Sequence, residues 1–166
     1  MTPSGPRPED VARRNRELEA LNAVAATIGR GADLVTTAEE TLGAVCLLTR
    51  TGAGAVYRID RDQGSLVMVA HRGLAPDEIA LLRERPLAGS YVAEVARSGR
   101  PGVIRLGERS PRDPRLRELA KRHGRRMQIA IPIPVKGETW GVIALLSDEE
   151  REFDPDELGV LESVAR

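Results

Sequence analysis

Two arginines that adjoin aliphatic, strand-like runs are the first candidates for binding a ligand. Arg105 lies within "RPGVIRL", and Arg126 directly precedes "MQIAIPIPV". An arginine buried at either place needs a carboxylate or phosphate partner, because an unpaired charge is costly to remove from water. The alternative is that both lie at a rim, with their aliphatic stems on apolar surface. Arg105 and Arg126 are therefore candidate residues for an anionic ligand.

His123 lies in a basic stretch, residues 121–126, and could serve a ligand or the fold. It follows Leu116 by seven residues and shares a helical face with Leu119. Its imidazole could therefore face a pocket, where it could bind a haem iron or change charge near neutral pH. The alternative is a basic last helical turn that offsets the negative end of the helix dipole. His71, the other histidine, ends a strand-like run, so no metal site is predicted.

Three further polar residues are candidates for lining a pocket. Tyr57 and Tyr91 could each supply a hydroxyl, although a core ring with a satisfied hydroxyl is the alternative. Gln128 lies inside an aliphatic run. If it is buried, its amide needs a partner, which a ligand or a neighbouring backbone group could provide.

The sequence offers little for catalysis. Cys46 is the only cysteine, so an intrachain disulfide and a Cys-x-x-Cys metal site are excluded. Its apolar helical neighbours predict a small core residue. The chain has no Ser-His-Asp order with supporting turns, no phosphate-binding loop and no metal-ligand cluster. We therefore predict a protein that is not an enzyme and that uses no cofactor.

The charges balance over the chain but not locally. Lysine and arginine number 25, as do aspartate and glutamate. Residues 100–126 carry a net charge of +7 and residues 146–162 a net charge of −7. The basic segment alone would suit phosphate groups, but the acidic segment can neutralise it. With few aromatic residues for base stacking, no nucleic-acid partner is predicted.

No membrane association is predicted, and the expected location is the cytoplasm. The longest apolar run is seven residues, "LGAVCLL", far short of a membrane span. Residues 1–10 lack an apolar signal core and predict a disordered leader.

Residues 11–30 predict a helix with a narrow apolar seam. Four residues alternate at steps of three and four, the spacing of a coiled-coil seam: Leu18, Leu21, Ala25 and Ile28. The polar "RRNRE" at the start of this helix favours a partner helix in a dimer over packing on the helix's own domain.

Residues 31–166 predict a domain that combines an antiparallel sheet with helices. A helix capped by Asp33 or Thr36, with Glu39 available for a capping box, presents one apolar face from Val35 to Thr49. Two hairpins follow, "AGAVYRID" with "SLVMVAHRG" and "MQIAIPIPV" with "TWGVIALLS". Helices should begin at Pro76, near Ser90 and after Asp113. Pro132 and Pro134 cannot donate ladder hydrogen bonds, so one edge of their strand must be unpaired or bulged there.

Three segments in this order resemble the GAF domain, a signalling module of bacterial sensors and cyclic-nucleotide phosphodiesterases. They are "LAGSYVAEVARSGRPGVI" (87–104), "IPIPVKGETWGVIALLS" (131–147) and "FDPDELGVLESVA" (153–165). The resemblance covers about residues 20–166. It implies an α+β, PAS-related fold, with a central antiparallel sheet that has helices on both faces. It also implies a ligand pocket on one face and dimerisation through flanking helices.

The specialised chemistries of this family do not transfer to the chain. A bilin-binding member would need a cysteine in the pocket region, whereas Cys46 lies on another element. A free-methionine-sulfoxide reductase would need several cysteines. The cyclic-nucleotide signature is absent, and Arg105 and Leu106 stand where the family often has an aspartate.

The resemblance thus implies a cytosolic sensory or regulatory module of a bacterial signalling protein, such as a histidine kinase. We expect it to be a homodimer through its terminal helices and to act on an output domain such as a kinase. It should bind an unidentified small molecule, for which an anion is one candidate. We also expect the C-terminal helix to continue beyond residue 166. The alternative is a ligand-free dimerisation scaffold with its pocket filled by its own side chains.

Overall fold

The computed structural model describes residues 7–9, 11–14, 33–107, 111–154 and 156–157. Within them, the chain begins with helix α1 (Leu34–Thr49) and the hairpin of β1 (Ala53–Asp60) and β2 (Ser65–Arg72). Helix α2 (Pro76–Leu82), strand β3 (Glu84–Pro86), helix α3 (Tyr91–Ser98) and strand β4 (Gly102–Arg105) follow. Helix α4 (Pro114–Arg122) leads into the hairpin of β5 (Met127–Val135) and β6 (Glu138–Ser147).

The strands form one antiparallel sheet in the order β3-β2-β1-β6-β5-β4. Each hairpin joins sequence neighbours, and the pairing of β1 with β6 joins the two hairpins. The predicted α+β fold with a central antiparallel sheet is confirmed, as are both hairpins. Lys136 and Gly137 form the β5–β6 turn with φ angles of 52° and 81°, the left-handed region that glycine tolerates best.

The sheet is covered on both faces because its central strands are apolar at odd and even positions. On one face, Val56 of β1, Ile131 of β5 and Ile143 of β6 pack with residues of α1. On the other, Tyr57, Ala130 and Val142 pack with residues of α3. The alternation follows from the two-residue period of a strand.

Strand β5 accommodates its two prolines as the sequence predicts. Strand β4 pairs only with residues 127–130, so the part of β5 that holds Pro132 and Pro134 has a partner on one side alone. The register with β6 also shifts between Ile133 and Pro134. The missing amide hydrogens therefore cost no ladder bond.

Side-chain caps fix where the helices begin. The Asp33 carboxylate accepts a hydrogen bond from Val35 N at 3.3 Å, and Ser90 Oγ accepts one from Ala93 N at 3.1 Å. Asp113 and Pro114 open α4 as expected.

The predicted details of α1 need two corrections. With Asp33 as the cap, Thr36 occupies the third helical position, and its hydroxyl donates to Asp33 Oδ2 at 2.7 Å. Glu39 is therefore too far along the helix for a capping box. Val35 is 47% exposed, so the buried face begins at Thr37 and Ala38. Cys46 is buried against the sheet, which confirms the predicted core position.

The beginnings of the two terminal segments lie close together. Residues 11–14 are helical, and Arg14 Nη2 lies 3.3 Å from Asp156 Oδ1. Asp154 and Glu157 form the predicted capping box, with Asp154 N donating to Glu157 Oε2 at 3.0 Å and Glu157 N to Asp154 Oδ1 at 2.8 Å. The predicted seam residues Leu18, Leu21, Ala25 and Ile28 lie outside the described residues.

Candidate functional site

The basic stretch at residues 121–126 pairs with two acids in the first turn of α2. Arg125 Nε and Nη2 donate to the two carboxylate oxygens of Glu78, each at 2.9 Å, and Nη2 also reaches Gly73 O at 3.0 Å. The Glu78 side chain is 1% exposed and that of Arg125 is 14% exposed. Burial opposes ionisation of Glu78, but hydrogen bonds from Arg125 and Ala75 N outweigh it and hold the pKa of Glu78 below its ordinary value.

Asp77, the neighbour of Glu78 in the chain, pairs with two further basic residues of this stretch. His123 Nε2 lies 2.9 Å from Asp77 Oδ1, and Arg122 Nη1 lies 2.9 Å from Oδ2. The hydrogen bond with His123 is the main cause that holds the pKa of Asp77 below its ordinary value. The end of α4 is thus fastened to the start of α2. We call this set, Asp77, Glu78, Arg122, His123 and Arg125, the α2–α4 clamp.

The clamp gives a third answer to the question posed by the basic stretch. Arg122, His123 and Arg125 are engaged within the domain and do more than offset a helix dipole. They pair with acidic residues that lie 45 to 47 residues earlier in the chain. Sequence reasoning missed Asp77 and Glu78. The signal available was their place directly after Pro76, in a helical first turn where acids are favoured.

A cavity of about 300 Å³ lies on the α3 side of the sheet, at the lower end of the range for small-molecule sites. Its walls come from the start of α3, from strands β3, β4 and β5, and from the segment before α4. The lining residues are Arg85, Gly89, Ser90, Tyr91, Glu94, Arg97, Ile104, Pro111, Arg112 and Gln128.

Arg85 is the most unusual residue of this cavity, since it is a charged side chain that is only 7% exposed. It forms no ion pair with a carboxylate of the described residues. The charge of Arg85 influences the pKa of Asp113, but that carboxylate accepts a hydrogen bond from Arg115 Nη2 at 3.0 Å. Beside the guanidinium lies the hydroxyl of Tyr57. Burial raises the pKa of Tyr57 to about 12, against the opposing effect of Arg85.

Two of the predicted residues, Gln128 and Tyr91, do line this cavity. Gln128 is 9% exposed, and its amide forms no hydrogen bond with the described residues. Tyr91 lies over Gly102 so closely that a Cβ at that position would collide with its hydroxyl. Gly102 therefore allows α3 and β4 to approach, and this approach sets the position of the Tyr91 ring.

A second, narrower cavity of about 40 Å³ adjoins the first. The two share Arg85, Pro111 and Gln128. This second cavity, which we call the inner cavity, has a mainly apolar lining that also includes the clamp residues Glu78 and Arg125. Its leucine lining comprises Leu82, Leu106, Leu116, Leu119 and Leu146.

The remaining predicted site residues lie elsewhere. Tyr57 is a core ring whose hydroxyl donates to Leu82 O at 2.9 Å, behind Arg85. Arg105 and Arg126 are exposed and do not line this cavity. His123 belongs to the clamp. The buried arginine that sequence reasoning missed is Arg85, because a strand of three residues is too short to display a pattern of alternation.

The described residues contain no group of three or more metal-binding side chains, and no described helix is both long and apolar enough to span a bilayer. The Cys46 thiol lies on the α1 face of the sheet, away from the cavity, and burial raises its pKa. A protonated, enclosed thiol is a poor nucleophile.

Comparison with known proteins identifies the family. The family model of the GAF domain matches residues 31–166. The chain therefore belongs to the GAF domain family. No curated protein matches it.

Solved structures share the fold at low sequence identity. The GAF domain of a phosphoenolpyruvate-protein phosphotransferase from Coxiella burnetii has a TM-score of 0.69 and 18% identity, over 92% of this chain and 89% of that one. A domain of a two-component sensor histidine kinase protein from Sinorhizobium meliloti has a TM-score of 0.64 and 18% identity, over 82% and 88%.

A third similar structure is an enzyme, a free methionine-R-sulfoxide reductase from Neisseria meningitidis in complex with its substrate. It has a TM-score of 0.64 and 19% identity, over 92% of this chain and 86% of that one. At such identities the likeness extends to the fold alone. The family nevertheless supports a sensory or regulatory role.

Proposed function

We propose that this GAF domain is the cytosolic sensory module of a bacterial signalling protein, such as a histidine kinase. It binds a small molecule in the cavity beside α3 and forms a homodimer through its terminal helices. Binding changes how those helices pair and so regulates an attached or partner output domain. In this proposal it does so without catalysis, and Cys46, the only cysteine, is buried in the core and poorly placed for the thiol chemistry of a sulfoxide reductase.

The observation that supports ligand binding most strongly is the unmet polarity of the cavity. Gln128 is buried, and its amide forms no hydrogen bond with the described residues. The amide is not enclosed, since Ser65 Oγ is the one fully buried side-chain atom without a hydrogen-bond partner among the described residues. The amide therefore opens onto the cavity, where a ligand can supply the partners that the domain does not.

Contacts near the end of the chain supply a route from the cavity to the terminal helices. Met127 precedes Gln128 on β5, and its Sδ accepts a hydrogen bond from Arg151 N at 3.1 Å. The Arg151 side chain reaches Thr49 O at 3.0 Å and Glu157 Oε1 at 3.1 Å. A shift of β5 at the cavity would therefore change the contacts between α1 and the C-terminal segment.

The pairing between Arg14 and Asp156 brings the N-terminal helix to the same place. We propose that the helices predicted from the sequence continue side by side from this contact and form a bundle with the same pair from a second subunit. For regulation, the ligand must bind one arrangement of this bundle better than the other and so shift the populations.

The second candidate function is a ligand-free dimerisation scaffold. The exposed rim of the cavity, with Glu94, Arg97 and Arg112, is compatible with it, since solvated side chains need no ligand. Nucleic-acid binding is not part of either proposal, because three basic residues of the +7 segment, Arg122, His123 and Arg125, pair within the domain.

Native mass spectrometry of the full 166-residue chain, purified from a bacterial host under mild conditions, tests the proposal. We expect a dimer mass with an added small molecule that is lost on collisional activation. A dimer without any added mass, and without a thermal shift from a metabolite panel, would favour the scaffold. A monomer without added mass would contradict both functions.

A further inference from the structure

Arg85, which has no carboxylate partner among the described residues, points to the chemical class of the ligand. We infer that the cavity takes a small aliphatic carboxylic acid, whose carboxylate binds Arg85 and whose hydrocarbon part enters the leucine-lined inner cavity. This inference rests on the proposed ligand-binding function and deepens it. Its basis is an arginine that is only 7% exposed as a whole residue and that has no carboxylate partner in the part of the chain that the structure describes.

The charge around Arg85 selects an anion. Arg97 and Arg112 also line the cavity, against one acid, Glu94. All three are exposed at the mouth, whereas Arg85 is buried. A guanidinium binds a carboxylate through two parallel hydrogen bonds, and it does so most strongly where water is excluded. The Gln128 amide, which has no hydrogen-bond partner in the described part of the chain, offers a further donor to the same group.

The surroundings favour an aliphatic body over a nucleobase or a tetrapyrrole. Tyr91 is the one aromatic residue among the described lining residues, so no pair of rings is available to hold a base. The inner cavity, at about 40 Å³, has room for about three water-sized groups. That space suits a branched alkyl end. The ligand would thus place its charged group on Arg85, where the two cavities meet.

Isothermal titration calorimetry on the full chain tests the inference with a matched set of probes. The set comprises 4-methylpentanoate, its primary amide, pentanedioate, inorganic phosphate and cyclic AMP. We expect a carboxylate to bind and the amide to bind at least tenfold more weakly, because it lacks the charge. Phosphate should also bind at least tenfold more weakly than the best carboxylate, since it leaves the inner cavity empty.

Two variants and one control connect binding to Arg85. Arg85→Gln should weaken carboxylate binding at least tenfold, and Arg105→Gln, an exposed arginine on β4, should leave it unchanged. Gln128→Glu places a carboxylate on the wall of the cavity that Arg85 also lines. It should raise the melting temperature of the ligand-free chain and abolish carboxylate binding, which a variant that merely failed to fold could not do.

The outcomes separate this inference from the function on which it rests. If both carboxylates fail to bind at millimolar concentration while cyclic AMP or a retained molecule binds, the carboxylate assignment is overturned and the sensory function stands. The assignment is also overturned if folded Arg85→Gln binds the carboxylate as well as the unmodified chain. If neither the probes bind nor any retained molecule is found, the assignment and the sensory function both fail.

Discussion

Glu78 and Arg125 form the most buried ion pair of the described residues, and it fastens α2 to α4. Both side chains have two or more hydrogen-bond partners, so the pair avoids the usual cost of a buried charge. Removing one partner would leave the other charged and enclosed. The pair therefore matters to stability mainly because losing one partner leaves an unpaired charge in the interior.

We predict that Arg125→Met lowers the free energy of unfolding by about 3 kcal/mol, because it leaves the Glu78 carboxylate buried without its partner. Urea denaturation monitored by circular dichroism measures this loss. Arg126→Met is the matched control, since the neighbouring arginine is exposed and should change stability by less than about 0.5 kcal/mol. Equal effects of the two substitutions would contradict the role of the clamp.

The pKa of Glu78 predicts an acid-dependent contribution to stability. Because this pKa is lower in the folded chain than its ordinary value of about 4.3, ionised Glu78 stabilises the fold above that pH. The contribution is lost as the pH falls through the lowered folded pKa. The difference in melting temperature between the unmodified chain and Glu78→Gln should therefore be largest near neutrality and shrink in acid. A difference in melting temperature that stays constant down to pH 3 would contradict this account. Glu150→Gln, which replaces an exposed acid, is the control for the effect of removing a surface charge.

At the residue scale, the sequence predicted partners within an element better than partners between elements. The caps Ser90, Asp113 and Asp154 were predictable because their partners lie within a few residues. The buried Cys46 was predictable because it lies on the apolar face of its helix. Arg125 was placed with a helix dipole because Glu78 lies 47 residues away and no local pattern connects them. Arg85 was missed because its strand of three residues is too short to show alternation, and only the folded sheet brings it into one cavity with Gln128.

At the scale of elements, the two hairpins define the sheet and therefore the cavity. Their strands were predictable from hydrophobic runs and turn residues, which are local signals. The pairing of β1 with β6 was not, since it joins segments that are distant in sequence. This central pairing depends on a close approach of the backbones, where Gly141 lies against the Tyr57 carbonyl.

We predict that Gly141→Ala destabilises the sheet by about 1–3 kcal/mol, because the added Cβ would collide with Tyr57 O and force the strands apart. Thermal denaturation measures this effect. Gly52→Ala is the control, since a Cβ there meets no atom within 4 Å. A Gly141→Ala protein as stable as Gly52→Ala would show that the β1–β6 approach is looser than described.

At the scale of the whole molecule, the account requires two terminal helices per subunit to pair across a dimer. The seam of Leu18, Leu21, Ala25 and Ile28 is a prediction from the sequence, and the Arg14–Asp156 contact lies just before it. An apolar seam of this spacing has little stability unless a partner helix covers it.

We predict that Leu21→Glu or Ala25→Glu converts the proposed dimer to a monomer, because a charge in the predicted seam must be desolvated without a partner. Light scattering coupled to size-exclusion chromatography measures the mass. Asn22→Glu, one residue away and outside the predicted seam, should remain dimeric. An unchanged mass in both seam variants would contradict dimerisation through this helix.

The most direct test of the account is hydrogen–deuterium exchange of the full chain, with and without the small molecule retained by the protein or the best-binding probe. The account predicts slower exchange around the cavity, in residues 85–98 and 127–131. It also predicts an altered rate in the terminal segments 11–28 and 154–166, because the ligand must change how those helices pair. Protection confined to the cavity would contradict a sensory role, and no protection at the cavity would contradict the site itself.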